Sequence, residues 1–219
     1  MLAKKKEIKT QEAVFSIKKG KHCEYILIFL QNNMSSVSQA LIEGARKNHL
    51  DLATIREDDI SRSIPPLLNE KLRDVNSDYM FTFEAKCGPD ILIYVLPYKA
   101  FSEEVFVIEA KRLPPTSSRE YVKGDRGGIE RFKKEKHGKK HDIAAMLGYV
   151  QGNDFNYWHT KVNSWIDDLR NDSSQNPGWE NQDKLTAVNV ADIAEYTSKH
   201  SRKTKEPITL HHFWINLRN

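Results

Sequence analysis

Three segments rich in aliphatic and aromatic residues follow one another closely between residues 79 and 113, and they restrict the fold more than any other feature. They run from Tyr79 to Lys86, from Asp90 to Leu96 and from Glu104 to Leu113. The second and third are almost continuous in residues that favour strands buried on both faces. Both connections are short and contain proline, which suits antiparallel neighbours. We therefore predict a meander of three strands.

The segments on either side of this meander predict an α/β protein with a central mixed β-sheet flanked by helices. Before the meander we predict an N-terminal hairpin over residues 12–31, a helix over about 35–48, and a helix that begins at Pro65 and continues to Val75. After it we predict a long helical region over 128–168, broken near 152–154, and a loop over 171–183. Strands over 185–190, 194–202 and 208–217 then follow, and the last two form a C-terminal hairpin.

Length and composition predict one water-soluble domain over residues 1–219. We divide it into an N-terminal elaboration (1–62), a core (63–151) and a C-terminal helix with strands (152–219). The longest apolar run, residues 25–30, is far shorter than the roughly 20 residues of a membrane span, so we expect a cytoplasmic protein without a membrane partner. Cys23 and Cys87 are expected to be reduced.

Acidic and basic residues occur at the ends of two predicted strands. Asp90 opens the second strand, and Glu109 and Lys111 lie near the end of the third. Because side chains alternate along a strand, Glu109 and Lys111 share one face and Ala110 points to the other. Two carboxylates on neighbouring strands suit Mg²⁺ or Mn²⁺. The alternative is that Glu109 and Lys111 form a salt bridge without any chemical role.

The runs Gly88-Pro89-Asp90-Ile91-Leu92-Ile93 and Val107-Ile108-Glu109-Ala110-Lys111 resemble the PD-(D/E)xK nuclease superfamily, over about residues 63–150. The resemblance implies a restriction-endonuclease-like fold and metal-dependent hydrolysis of phosphodiester bonds. It also implies that Asp90, Glu109 and the carbonyl of Ala110 bind Mg²⁺ or Mn²⁺ and that Lys111 positions or activates water. Glu70, on the preceding helix, would join the metal site; one or two metal ions are equally compatible with the motif. Glu84 begins a second Glu-Ala-Lys triplet, but no Pro-Asp precedes it.

The stretches 124–132 and 145–151 are similar to the segment that follows the nuclease lysine in bacterial defence and restriction members of the superfamily. The expected nucleic-acid contacts are Arg126, Arg131, Lys133, Lys134 and Gln151. A solvated helix face is the alternative interpretation of the lysines. His200 and Arg202, in the C-terminal hairpin, are further candidates for phosphate contacts.

The same resemblance implies a DNA endonuclease that acts as an effector in antiviral defence or restriction, although the sequence does not distinguish DNA from RNA. No Walker A loop occurs, so a nucleotide-driven step would need a separate sensor or ATPase subunit. Homo-oligomerisation is left open. The rival hypothesis is a non-catalytic nucleic-acid-binding or assembly subunit that keeps the nuclease fold.

Overall fold

The computed structural model describes residues 2–75, 77–84, 88–96, 103–114, 119–124 and 126–218, and the side chains among them from residue 20 onwards. The helices are α1 (Leu2–Lys47), α2 (Glu57–Asp74), α3 (Gly128–Lys133) and α4 (Phe155–Arg170), with 3-10 turns at Arg119–Tyr121 and Asn181–Asp183. The strands are β1 (Tyr79–Phe83), β2 (Ile91–Val95), β3 (Glu103–Leu113), β4 (Ile143–Val150), β5 (Thr186–Val190), β6 (Ile193–His200) and β7 (Ile208–Asn216).

The strands form one seven-stranded mixed sheet in the order β1-β2-β3-β4-β7-β6-β5. The antiparallel meander β1-β2-β3 and the antiparallel C-terminal hairpin β6-β7 are both confirmed. Between them, β4 pairs in parallel with β3 on one side and with β7 on the other. The predicted α/β architecture with a central mixed sheet is therefore confirmed.

Each face of the sheet carries a hydrophobic core. On one face α1 and α2 pack on residues such as Phe81, Ile93 and Tyr149. On the other face α3 and α4 pack on residues such as Met146 and Trp214. The central strands are consequently buried on both sides, which explains why their sequences are apolar without alternation.

A glycine allows the tight packing of the central strands. A Cβ atom added to Gly148 would lie 2.2 Å from Cδ1 of Trp214 on the neighbouring strand β7. No side chain fits in that space, so the indole of Trp214 lies directly over the β4 backbone.

The predicted N-terminal hairpin is wrong, because residues 12–31 belong to α1. The apolar run at 25–30 looked like a buried strand, a confusion that periodicity does not resolve for short apolar runs. Its buried members instead continue a helical pattern, with Ile26, Leu30, Met34 and Val37 three to four residues apart. That stripe packs on the core and selects the helix.

Helix α2 begins at Glu57, two turns before the expected start at Pro65, so both prolines lie inside the helix. Its first turn carries Glu57, Asp58 and Asp59, which favour a helix N-terminus. Asn69 attaches α2 to the edge strand β1. Its side-chain amide donates a hydrogen bond to the C=O of Phe81 and accepts one from the N–H of Phe81, at 2.8 Å each. At the other end of the helix, Glu57 lies beside Asp90 at the start of β2 and accepts from the N–H of Arg112 at the end of β3.

The predicted helical region 128–168 is only partly correct. Its middle, Ile143–Val150, is the central strand β4, and α4 begins after the predicted break, with Asp154 as its N-cap. The residues Ala144-Ala145-Met146-Leu147 favour a helix in isolation, but pairing with two neighbouring strands overrides that preference.

No helix in the described part of the chain combines the length and the apolar character needed to cross a bilayer. Cys23 is a buried thiol in α1, and Cys87 lies outside the described residues.

Candidate active site

Three carboxylates meet where the start of α2 approaches the start of β2. One oxygen each from Glu57, Asp58 and Asp90 lies within 4.8 Å of the other two. Glu109 does not belong to this group of described residues. An all-oxygen donor set of this kind suits a hard divalent cation such as Mg²⁺ or Mn²⁺.

Asp90 lies opposite Glu109, as the hairpin spacing predicts, because β2 and β3 pair with Ile91 across from Ile108. Its Oδ2 accepts a 2.7 Å hydrogen bond from the N–H of Ala110. Burial, reinforced by the negative charge of Glu109, raises the pKa of Asp90 to about 7. The fold alone therefore holds this carboxylate in a place where its ionised form is costly, and a bound cation would remove that cost.

Lys111 joins the acidic groups from the opposite strand. Its Nζ lies 2.7 Å from Glu57 and 3.0 Å from Glu109, and it donates a 2.6 Å hydrogen bond to the carbonyl of Ala110. Burial alone would lower the pKa of Lys111, but the neighbouring carboxylates raise it above its ordinary value, so the ammonium stays charged. Gly128 leaves room for its stem, because a Cβ there would lie 3.1 Å from Cγ of Lys111.

Glu109 is fully buried and surrounded by basic side chains. Besides Lys111, the guanidinium of Arg131 donates to its Oε1 at 2.9 Å, and Nδ1 of His137 lies 2.8 Å from its Oε2. The imidazole is close enough for an ion pair when protonated but is not oriented for a hydrogen bond. Burial raises the pKa of Glu109, whereas His137 and Lys111 lower it further than burial raises it, so the group is ionised. The two oxygens of Glu109 are thus directed to basic side chains of the protein.

The acidic cluster opens into a cavity of about 360 Å³. The residues that line it are Glu57, Asp58, Phe83, Glu84, Gly88, Asp90, Lys111, Arg126, Arg131 and His137. Glu84, the start of the second Glu-Ala-Lys triplet, is therefore beside the cluster, and its N–H donates to the carbonyl of Asp90 at 2.9 Å. The cavity combines an acidic floor with basic side chains.

Glu70 does not reach this cavity. It is exposed on α2, thirteen residues beyond Glu57, which corresponds to about 20 Å at 1.5 Å per residue. Glu57, which the sequence analysis did not single out, is the α2 glutamate beside the site, and its second oxygen accepts from the N–H of Arg112 at 3.0 Å. The acidic run Glu57-Asp58-Asp59 at the start of a helix was the available signal.

The five predicted nucleic-acid contacts lie in different environments. Arg126 and Arg131 line the cavity. Lys134 is exposed and pairs with Glu130 at 2.9 Å. Lys133 is buried, with its ammonium 2.8 Å from Asp183, and Gln151 is buried and donates to backbone carbonyls, so neither side chain is available to a nucleic acid.

A second polar cluster is buried beneath the C-terminal hairpin. Its hydrogen bonds run through Trp214, Tyr121, His212, Ser198, His200 and Asp183. Burial lowers the pKa of both imidazoles, which keeps both rings neutral. An indole only donates, an ionised carboxylate only accepts, and a neutral imidazole donates through one nitrogen and accepts through the other, so each hydrogen bond points from Trp214 towards Asp183. His200 is consequently a structural residue and not a phosphate contact.

Arg202 is likewise structural. Its guanidinium is buried and donates to the carbonyls of His141 and Glu206 and to the carboxylate of Asp142. These bonds join the loop before β4 to the loop before β7, so Arg202 is not available to a phosphate either.

No protein-family model, no curated protein and no solved structure matches this chain. The geometry of the cavity and the motif that lines it are consequently the only indications of function.

Proposed function

We propose that this protein is a metal-dependent nuclease of the PD-(D/E)xK type, with a restriction-endonuclease-like fold, and that it hydrolyses phosphodiester bonds in the cavity beside Asp90. One observation carries the proposal: a buried, charged lysine lies among carboxylates at the wall of an open cavity. Burying such groups is costly, and perturbed charged groups that meet in a cleft mark a candidate functional site.

The donor set fits the expected cation. Glu57, Asp58 and Asp90 would hold Mg²⁺ or Mn²⁺, and the raised pKa of Asp90 supplies the physical reason for a cation there. When bound, such an ion polarises a phosphoryl oxygen and promotes ionisation of water. Glu109 would contribute by holding Lys111 and Arg131 in place.

Lys111 would orient the attacking water and offset the charge that develops on the phosphoryl group. In the reaction a bond forms from the oxygen of water to phosphorus and the bond from phosphorus to the ribose or deoxyribose oxygen breaks. The water loses one proton and the leaving oxygen gains one. Electrostatic groups of this kind contribute about 3–5 kcal/mol to the transition state, which is a few orders of magnitude in rate.

The test is cleavage of supercoiled plasmid and of single-stranded DNA and RNA with Mg²⁺, Mn²⁺ or EDTA. We expect metal-dependent cleavage that Asp90→Asn, Glu57→Gln and Lys111→Met each reduce by at least about a hundredfold. Glu70→Gln is the matched control on the same helix and should cleave like the wild type. Metal titration by calorimetry should show affinity lost in Glu57→Gln and kept in Lys111→Met, because the ammonium holds no metal ion.

Equal cleavage by the wild type, Asp90→Asn and Lys111→Met would refute the proposed site. Metal binding without cleavage of any substrate would instead favour the non-catalytic nucleic-acid-binding subunit. The resemblance to defence and restriction nucleases is the support for DNA as the substrate and for a separate sensor or ATPase as the partner.

A further inference from the structure

We propose that Arg62, whose guanidinium lies over the ring of Phe83 at the edge of the cavity, binds a phosphate adjacent to the one that is cleaved. The proposal deepens the nuclease function and rests on it. It adds a substrate-binding residue outside the Pro-Asp and Glu-Ala-Lys motif.

The position of Arg62 follows from the geometry of α2. It lies four residues after Asp58, so the two side chains occupy the same helix face, with Cβ atoms about 5–6 Å apart. Its guanidinium carbon lies 5.2 Å from the centroid of the Phe83 ring. Because Phe83 and Asp58 both line the cavity, this cation stands one helical turn from the acidic cluster.

The charge of Arg62 is available to a ligand. Among the residues that the structure describes, Arg62 forms no ion pair, whereas Arg131 of the same region is paired with Glu109. Arg62 is also exposed, so that a nucleic-acid strand can reach it.

The contact with Phe83 prepares the guanidinium for a phosphate. The ring lies within cation–π distance of the group and favours this position of the side chain, while the N–H donors of the guanidinium can still bind a ligand. A phosphate that binds this edge therefore meets a partly immobilised cation, which lowers the entropic cost of binding.

An additional cation near this floor favours the binding of a nucleic acid. A divalent ion and the ammonium of Lys111 together only balance the carboxylates of Glu57, Asp58 and Asp90, so they leave no net positive charge for the flanking phosphates. Arg62, together with Arg126 at the cavity, supplies positive charge for the phosphates that flank the scissile one.

The test measures binding of fluorescein-labelled single-stranded DNA by anisotropy, with Ca²⁺ replacing Mg²⁺ and with salt varied. Arg62→Ala should weaken binding about fivefold to tenfold and make the slope of log K against log[salt] less negative by about 0.7, as for one lost phosphate contact. Phe83→Leu should weaken binding about twofold to threefold without changing that slope, because the charge remains. Arg73→Ala, an exposed arginine in the last turn of α2, is the control and should bind like the wild type.

An Arg62→Ala variant with the affinity and salt slope of the wild type would overturn this inference while leaving the proposed function intact, provided that the wild type cleaves. A wild type that neither binds nor cleaves any nucleic acid would overturn both. Cleavage of plasmid by each variant distinguishes these two results.

Discussion

Replacing Asp90 by asparagine should make the metal-free protein more stable at neutral and alkaline pH. Asparagine keeps an oxygen that can accept from the N–H of Ala110 but removes the buried negative charge. The pKa of Asp90 is about 7 in the folded protein, against an ordinary value of 3.8. The unfolded chain therefore ionises this group at a much lower pH than the folded protein does.

The sign of the effect follows from proton linkage. Below about pH 4 the carboxyl of Asp90 is protonated in both the folded and the unfolded state. Its ionisation then makes no difference to the free energy of unfolding of the wild type relative to Asp90→Asn. As pH rises from about 4 to about 7, only the unfolded state loses the proton, so the free energy of unfolding of the wild type falls by about 1.36 kcal/mol per pH unit. Above about pH 7 both states are ionised and the loss stays constant at about 4 kcal/mol, or about 2–4 kcal/mol once access of water to the cavity is considered.

The assay is urea unfolding in EDTA between pH 4.5 and pH 8, followed by the fluorescence of the four tryptophans. The difference in free energy of unfolding between Asp90→Asn and the wild type should grow by about 2–4 kcal/mol over this range, since titrating groups far from Asp90 cancel in the difference. Asp74→Asn, at the exposed end of α2, is the matched control substitution.

Added Mg²⁺ should stabilise the wild type alone, so that at pH 8 the wild type becomes more stable than Asp90→Asn. The affinity of the wild type for Mg²⁺ should increase with pH up to about 7. A difference between the two proteins that does not vary with pH would refute the reasoning, because Asp90 would then ionise alike in the folded and the unfolded state.

Two further predictions concern stability, and thermal unfolding by circular dichroism measures both. Gly148→Ala should lower the free energy of unfolding by about 3 kcal/mol, because its Cβ would lie 2.2 Å from Cδ1 of Trp214. An unchanged melting temperature would show that the indole of Trp214 leaves room for a methyl group over the β4 backbone. Ser198→Ala should lower the free energy of unfolding by about 2–4 kcal/mol, because it leaves two buried imidazole nitrogens without a hydrogen-bond partner. Ser198→Cys keeps a weak donor and should lower it less.

The elements that the sequence predicted correctly depend on local information. The strands β1, β2 and β3 have strong β-forming residues, and their short connections leave antiparallel pairing as the simple arrangement. The same local geometry places Asp90 opposite Glu109 and directs the side chains of Lys111 and Ala110 to opposite faces of the sheet. The C-terminal hairpin was predictable for the same reason.

The remaining features depend on contacts between residues far apart in the chain. The run at 143–150 is a strand because β3 and β7 satisfy both of its edges, and the run at 25–30 is helical because its apolar stripe meets the sheet. Neither neighbour is evident from a short apolar run, which is compatible with a buried helix or a buried strand.

The composition of the site also depended on distant contacts. Glu57 rather than Glu70 stands beside Lys111, since Asn69 and the apolar stripe of α2 set where along the sheet edge that helix begins. Lys133 looked like a surface cation, yet Asp183, fifty residues later, supplies the buried charge that makes its burial tolerable. Burial and pairing of a charge are properties of the packed chain, because the dielectric environment and the partner arise only when distant segments meet.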